Sequence, residues 1–125
     1  MDMKLELIPV PVSDVDRSKT FYVDAVGFHL DHDVEPGNGM RIVQLTPPGS
    51  ACSIAFGIGM IRPDAAPVHG IHLVVDDIAA VRELLRARGV DVGPVRDLGG
   101  VPYASFSDPD GNTWELQSLA GLRGV

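Results

Sequence analysis

The stretch Asp108-Pro109-Asp110-Gly111-Asn112-Thr113-Trp114-Glu115-Leu116-Gln117 has the pattern of a tight turn that leads directly into a β-strand. Proline fixes φ, aspartate and asparagine bond to their own backbone, and glycine accepts a positive φ. In the strand, alternation predicts that Trp114 and Leu116 face a core and that Glu115 projects from the opposite face. A carboxylate on a rigid strand is either a solvated residue or a functional group such as a metal ligand or general base.

Length and composition predict one globular domain, residues 1–125. Hydrophobic residues make up 45% and charged residues 22% of the 125, which is ordinary for a protein with a packed core. The formal net charge of −7 argues against nucleic acid and anionic membranes as partners. One cysteine excludes an internal disulfide, and neither a signal peptide nor a membrane-spanning run is evident. We therefore expect a cytoplasmic protein.

The chain has the same order of elements twice. The first half predicts a strand, a helix from an N-cap at Ser13 to Gly27, and three more strands, at 4–12, 28–35, 40–46 and 51–58. Residues 59–68, with two prolines, form a linker. The second half predicts a strand, a helix between Asp76-Asp77 and Gly89, and three further strands, at 69–75, 90–96, 101–107 and 112–118. Both modules, 4–58 and 69–118, are therefore βαβββ.

The two modules can be superposed as an internal repeat. The turn Pro47-Pro48-Gly49 matches Pro109-Asp110-Gly111, and counting from these glycines pairs Ser53 with Glu115. Counting back from the helix starts pairs Leu7 with Gly70. Two such modules predict an α+β fold, a cupped and mostly antiparallel sheet with helices on its outer face. The open face is then the expected position of a small-molecule site.

These motifs, taken in order, resemble the vicinal oxygen chelate superfamily, which includes glyoxalase I, bleomycin-resistance proteins and extradiol dioxygenases. The matching stretches span nearly the whole chain and comprise Pro11–Tyr22, Val26-Gly27-Phe28, Leu73–Ile78, Arg88-Gly89-Val90 and Asp108–Leu116. The resemblance implies the tandem βαβββ fold, a small-molecule ligand or substrate and a homodimer.

The resemblance also implies where metal ligands would lie. Metal-using members take four ligands from the first and last strands of each module, which correspond here to Leu7, Ser53, Gly70 and Glu115. Of these, Glu115 alone is of the usual ligand type. We therefore expect a site without a strongly held metal or other cofactor. The alternative is a zinc, nickel, manganese or iron site with an altered ligand set of His72, Glu115 and His69.

His72 and Glu115 are the candidate catalytic residues. In a strand, His72 faces the same side as Gly70, and its imidazole titrates near neutral pH, so that it could act as a general base with Glu115 as its orienting partner. A pocket-lining or hydrogen-bonded histidine is the alternative. His69 faces the other way unless the strand begins late or shifts by one residue.

Two further residues are candidates for ligand binding. Tyr103 has the same parity as Ser105 and Ser107, which predicts a mixed polar wall. Arg41 is either a surface residue or a clamp for a ligand carboxylate.

Three functions follow from these residues. The first is a protein that binds or converts a small organic molecule in the cup, either sequestering it or performing acid–base chemistry on it. The second is a metal-dependent lyase, isomerase or dioxygenase. The third is a structural or regulatory domain with a residual pocket.

Overall fold

The computed structural model describes residues 1–119 and confirms the predicted α+β fold of two βαβββ modules. The chain divides into two compact units, Met1–Pro67 and a second that begins at Val68. The helices and strands are β1 (Leu7–Pro9), α1 (Val15–Thr20), β2 (His29–Gly37), β3 (Met40–Thr46), β4 (Ser53–Ile58), β5 (Ile71–Val74), α2 (Ile78–Ala87), β6 (Arg96–Leu98), β7 (Val101–Ser107) and β8 (Thr113–Gln117). Within residues 1–119, no helix is long and apolar enough to cross a membrane.

The first unit is a four-stranded sheet in the order β1-β4-β3-β2, in which β1 runs parallel to β4 and the other pairs are antiparallel. The alternation in β3 buries Val43 and Leu45, and in β4 the residues Ser53–Phe56 are all buried. Helix α1 continues as a π-helical segment, Phe21–Val26, and places Tyr22 5.9 Å from the Phe56 ring, between centroids. Tyr22 is fully buried, so this contact joins the helix to the sheet.

Helix α1 begins one residue later than predicted. The N-cap is Asp14, whose Oδ1 accepts the backbone N–H of Arg17 at 3.1 Å. Ser13 instead accepts a hydrogen bond from the Arg17 guanidinium at 3.0 Å. Both residues are good caps, and the local sequence does not decide between adjacent candidates. The predicted end at Gly27 is confirmed, because this residue has the left-handed φ of 94°.

The second unit repeats the plan, with strand order β5-β8-β7-β6 and β5 parallel to β8. Asp77 caps α2 by accepting the Ala80 N–H at 3.0 Å, as its position at the helix start predicts. One face of the sheet carries fully or nearly fully buried apolar side chains, Ala104, Phe106, Trp114 and Leu116. The predicted inward orientation of Trp114 and Leu116 is confirmed.

The strand predicted over 90–96 is wrong, because the strand observed in this region is β6, Arg96–Leu98. Val92 is buried without belonging to a strand. The Arg82 guanidinium donates to the carbonyl of Gly93 at 2.7 Å and to that of Val92 at 3.4 Å. Proline at 94 has no N–H to donate. The carbonyls of Val92 and Gly93 are therefore satisfied by a helix side chain, and the Gly93 N–H alone donates to β7, to the Ser105 carbonyl at 2.9 Å.

The turn before β8 is fixed by Asp108, which is buried. Its Oδ1 accepts the backbone N–H groups of Asp110 and Asn112, both at 2.9 Å. Its Oδ2 accepts the Asn112 side-chain amide at 2.7 Å, and Asn112 Oδ1 in turn accepts the Val68 N–H at 2.9 Å. The predicted turn is thus confirmed, and it fixes the start of the strand that carries Glu115.

Candidate functional site

The second sheet has a polar face opposite its buried face. The antiparallel register of β7 and β8 places Ser105 beside Glu115, Ser107 beside Thr113, and Tyr103 beside Gln117. Directly paired residues share a face, so the alternation brings these side chains together. We call this surface the polar face; it comprises His72, Arg96, Tyr103, Ser105, Ser107, Thr113, Glu115 and Gln117. The mixed polar wall predicted around Tyr103 corresponds to part of it.

Glu115 lies at the centre of the polar face in a closed set of hydrogen bonds. The Ser105 hydroxyl donates to Oε1 at 2.7 Å, and Arg96 Nη2 lies 2.7 Å from Oε2. The same Nη2 donates to Ser105 Oγ at 3.0 Å. The Glu115 side chain is 23% exposed and that of Arg96 46% exposed. The carboxylate therefore faces solvent with its charge balanced by a guanidinium.

A cavity of about 370 Å³ lies beside Glu115. Its lining consists of Asp91, Ser105, Phe106, Ser107, Thr113 and Glu115. Three hydroxyls and two carboxyls thus meet around one space, whereas the ring of Phe106 lies on the buried face, stacked on Trp114. The volume is within the range of sites that hold small organic molecules.

His72 lies on the polar face, as predicted, and is the register partner of Glu115 across β5 and β8. Its Nδ1, however, forms a very short contact with Oε1 of Gln117. The ring also stands edge-on to Tyr103, with centroids 6.0 Å apart. The two predicted catalytic residues are therefore neighbours whose hydrogen-bond partners differ.

Gly70 and His69 lie just before β5, and their geometry explains why simple alternation fails there. Gly70 has a φ of 76°, and its N–H donates to the Thr113 carbonyl at 3.1 Å and to Thr113 Oγ1 at 2.7 Å. His69 Nδ1 is 3.4 Å from the same hydroxyl. Because the strand begins late, His69 approaches the polar face at Thr113, the exception that the sequence analysis allowed for.

Strand pairing corrects the repeat at one position. In the first unit Leu7 pairs with Ser53, whereas in the second His72 pairs with Glu115. The register counterpart of Leu7 is therefore His72 and not Gly70. The shift of two positions arises because the helix N-cap follows Leu7 by seven residues (Asp14) but follows His72 by only five (Asp77), so counting back from the helix starts misses it.

Ser53 belongs to a separate polar cluster in the first unit. It is 5% exposed, and its hydroxyl lies 2.7 Å from Thr46 Oγ1 and 3.4 Å from the Gln44 amide. Thr46 makes a very short hydrogen bond to Asp31, and His29 Nε2 is 3.7 Å from the other oxygen of that carboxylate. These contacts satisfy the buried Ser53 hydroxyl without a ligand.

Arg41 joins α1 to the edge of the first sheet. Its Nε and Nη2 bond to the two oxygens of Asp33 at 3.0 and 2.9 Å, and its Nη1 lies 2.9 Å from Asp16. Lys19 also contacts Asp33, at 2.8 Å. Hydrogen bonds from Arg41, then Lys19, hold the pKa of Asp33 well below its usual range, and Asp33 with Asp16 raises the pKa of Arg41. The clamp role of Arg41 stays a prediction.

The residues of the site do not fit the divalent metal that the fold family implies. Among residues 1–119, no three histidine, cysteine, aspartate or glutamate side chains converge on one point. Both Glu115 oxygens are hydrogen-bonded, and one faces a guanidinium, which repels a second cation. His72 is bonded to Gln117.

Arg96 and Gln117 were not singled out from the sequence, although both contact predicted site residues. The sequence pattern predicts Arg96 at the end of a strand, 90–96, that does not form. Its pairing with Tyr103 in β6 and β7 is what brings it to the polar face. The parity of Gln117 with Glu115 was the available signal, because residues two apart in a strand share a face.

Residues 4–116 match the family model described as the glyoxalase/bleomycin resistance protein/dioxygenase superfamily. A curated relative, the Bacillus subtilis (strain 168) protein described as uncharacterized protein YwkD, is 27% identical over 117 residues, covering 87% of this chain and 91% of the relative.

Solved structures give the same assignment. TnmS3, described as an antibiotic binding protein from Streptomyces sp. CB03234, is 36% identical with a TM-score of 0.82, covering 94% of this chain and 96% of that one. A glyoxalase/bleomycin resistance protein from the same organism is 37% identical, with a TM-score of 0.76 and coverage of 90% and 98%. A superfamily member from Sphaerobacter thermophilus DSM 20745 is 30% identical, with a TM-score of 0.82 and coverage of 94% and 98%.

Proposed function

Because this chain belongs to the glyoxalase/bleomycin resistance protein/dioxygenase superfamily, we propose that it binds a small organic molecule of the antibiotic type on its polar face. The cavity beside Glu115 carries this proposal. It offers about 370 Å³ bordered by hydroxyl and carboxyl groups in fixed positions. Its lining supplies both donors and acceptors, which a polar, ring-containing molecule can satisfy.

The similarity to TnmS3, described as antibiotic binding, supports the same class of ligand. The proposed mode is binding without a strongly held metal, because the donor groups near Glu115 are engaged by protein partners. Sequestration needs no further chemistry, since a bound molecule is withdrawn from its target by mass action.

Acid–base chemistry on the bound molecule is a second candidate. It is favoured by the position of Glu115 at the wall of the cavity, within reach of a ligand proton. His72 would act from the neighbouring strand once released from Gln117. Glu115→Gln should then abolish turnover of any substrate found while leaving binding in place, and retained turnover would rule this role out.

The cellular setting is proposed from the sequence. We expect the protein to act in the cytoplasm as a homodimer, with the small molecule as its partner. Size-exclusion chromatography with light scattering measures the oligomeric state directly, and a monomeric mass would contradict the expected dimer.

The test is a thermal-shift screen of the purified protein against antibiotics of varied charge and ring system. A ligand at a hundredfold excess over its Kd stabilises the folded state by about 2.7 kcal/mol, which raises the melting temperature measurably. Ser107→Leu, which fills the cavity, should abolish the shift, whereas the matched variant Ser107→Ala should retain it. No shift with any antibiotic would favour a structural or regulatory domain with a residual pocket.

A further inference from the structure

The positive charge at Glu115 is supplied by the protein itself. The resemblance implies that relatives place a metal ion against the residue at this position. Here the group that meets the carboxylate is the Arg96 guanidinium, 2.7 Å from Oε2. Since the donor set does not fit a divalent metal, the cation available to a ligand at this position is a guanidinium.

Arg96 has hydrogen-bonding capacity left for a ligand. A guanidinium carries five N–H donors, and Nη2 accounts for the two bonds, to Ser105 and Glu115. Its Nε and Nη1 donate to none of residues 1–119, and its side chain is 46% exposed. Ser105 and Glu115 hold one edge of the planar group, so the remaining donors have a fixed orientation.

That orientation selects a type of ligand. Nε and Nη1 lie on different edges of the guanidinium, so each donates singly, and a hydrogen bond to an ionised oxygen is shorter and stronger than one to a neutral acceptor. Tyr103 is the register partner of Arg96 and stands edge-on to His72, so a pair of aromatic rings lies on the same face as the guanidinium. An aromatic molecule with an acidic oxygen can therefore meet the charge and the rings together.

Resting on the proposed function, we propose that Arg96 is the ligand-recognition residue of the polar face and that it receives the acidic oxygen of an aromatic organic anion. The ligand oxygen is a carboxylate, phenolate or enolate. The opposite choice, a cationic ligand, has Asp91 in its favour, because this exposed carboxyl lines the cavity beside Glu115, whereas Arg96 meets that lining only through its bonds to Ser105 and Glu115. Recognition by Arg96 predicts that an anionic ligand binds more tightly than a cationic one, and recognition by Asp91 predicts the reverse.

The experiment compares three probes that share one ring system: 2-naphthoate, 2-naphthamide and 2-naphthylmethylammonium. Their binding to the whole protein is followed by titration with ¹H–¹⁵N NMR. The expected order of affinity is anion, then amide, then cation. Arg96→Met should weaken naphthoate binding about tenfold or more and leave the amide unchanged. Arg96→Lys should recover part of the loss, because it restores the charge but not the planar group whose donors have a fixed orientation.

Two variants complete the test. Glu115→Gln should strengthen naphthoate binding, because it removes the carboxylate that shares the guanidinium. Arg86→Met, an exposed arginine on α2, is the matched control and should leave all three probes unchanged. NMR spectra of the free variants establish folding, and if Arg96→Met does not fold, Arg96→Gln replaces it.

The proposal is overturned if naphthoate fails to bind, if the ammonium probe binds as well or better, or if the Arg96 variant keeps full naphthoate affinity. Weaker naphthoate binding by Glu115→Gln also overturns it. None of these results decides the proposed function. That proposal depends on the antibiotic screen, in which an antibiotic of any charge that binds the wild-type protein supports it.

Discussion

Arg96 in β6 reaches across β7 to Glu115 in β8, with Nη2 2.7 Å from Oε2, and Ser105 of the intervening strand bonds to both side chains. Three strands are thereby joined on one face. The pair is partly exposed, so its main consequence is the charge and orientation that it gives to the site.

Glu115→Gln should therefore leave the fold nearly as stable as before. The free energy of unfolding should change by less than about 1 kcal/mol, since a partly exposed ion pair is screened by solvent and salt. Urea denaturation of the two proteins measures the difference. A loss several times larger would mean that the pair has a structural role and that binding defects in this variant do not report on the site.

Metal titration should give no tight stoichiometric complex with Zn²⁺, Ni²⁺, Mn²⁺ or Fe²⁺. The Glu115 oxygens are engaged by Arg96 and Ser105, and His72 on the adjacent strand β5 is engaged by Gln117. Titration calorimetry of protein purified without added metal makes the measurement. One equivalent bound tightly, and lost in His72→Ala, would support a metal-dependent function instead.

The ion pairs of Asp33 should make stability fall on the acid side. At neutral pH, Asp33→Asn should cost about 1–3 kcal/mol, because the side chains of Asp33 and Arg41 are only 20% and 18% exposed. The pKa of Asp33 is lower folded than unfolded, so its contribution is complete above pH about 5 and is lost as the pH falls below about 4.

The free energies of unfolding of wild type and Asp33→Asn, measured from neutral pH to well below pH about 4, should therefore converge as the pH falls. Asp64→Asn is the matched control, because its ion pair with Arg62 is about 80% exposed on both sides and should contribute little. A difference between wild type and Asp33→Asn that is constant with pH would contradict the lowered pKa.

Gly57→Ala should destabilise the first unit. A Cβ at this position would lie 1.8 Å from the backbone carbonyl oxygen of Arg41, so β3 and β4 must separate. Overpacking of this kind typically costs about 1–3 kcal/mol. Gly93→Ala is the control, because its Cβ would meet Ser105 O at an ordinary 3.7 Å. Equal melting temperatures for both variants would show that the strands yield without cost.

Asp108→Ala should destabilise the second unit by about 2–4 kcal/mol. The substitution removes the buried carboxylate, so two backbone N–H groups and the Asn112 side-chain amide lose their acceptor. Backbone amide exchange in β8 should also accelerate. Asp64→Ala serves as the exposed control. Unchanged protection of Glu115 would mean that the turn does not fix this strand.

Local sequence was sufficient for most elements. β3 and β7 have the bounds predicted from alternation and turns, 40–46 and 101–107. Gly27 and Gly89 end their helices with φ of 94° and 88° because a left-handed residue is required there. The strand predicted over 90–96 was wrong because the Arg82 guanidinium, distant in sequence, bonds to the carbonyls of Val92 and Gly93, which leaves the Gly93 N–H as the contact of this segment with β7.

The candidate site was only partly predictable. Parity alone placed Glu115 and Tyr103 on a face away from the buried tryptophan, because alternation is a property of any strand. It did not place Arg96, whose position depends on which strand pairs with β7 and in what register. Counting back from the helix starts also misassigned the counterpart of Leu7, because the connection from strand to helix is two residues shorter in the second unit.

The sequence by itself therefore determined the repeat, the family and the side of the strand on which Glu115 projects, since each depends on order and spacing along the chain. Tertiary structure decided what Glu115 contacts. Its bond to Arg96, and the bond of His72 to Gln117, exist because strands distant in sequence pair in one register and bring these side chains within hydrogen-bonding distance.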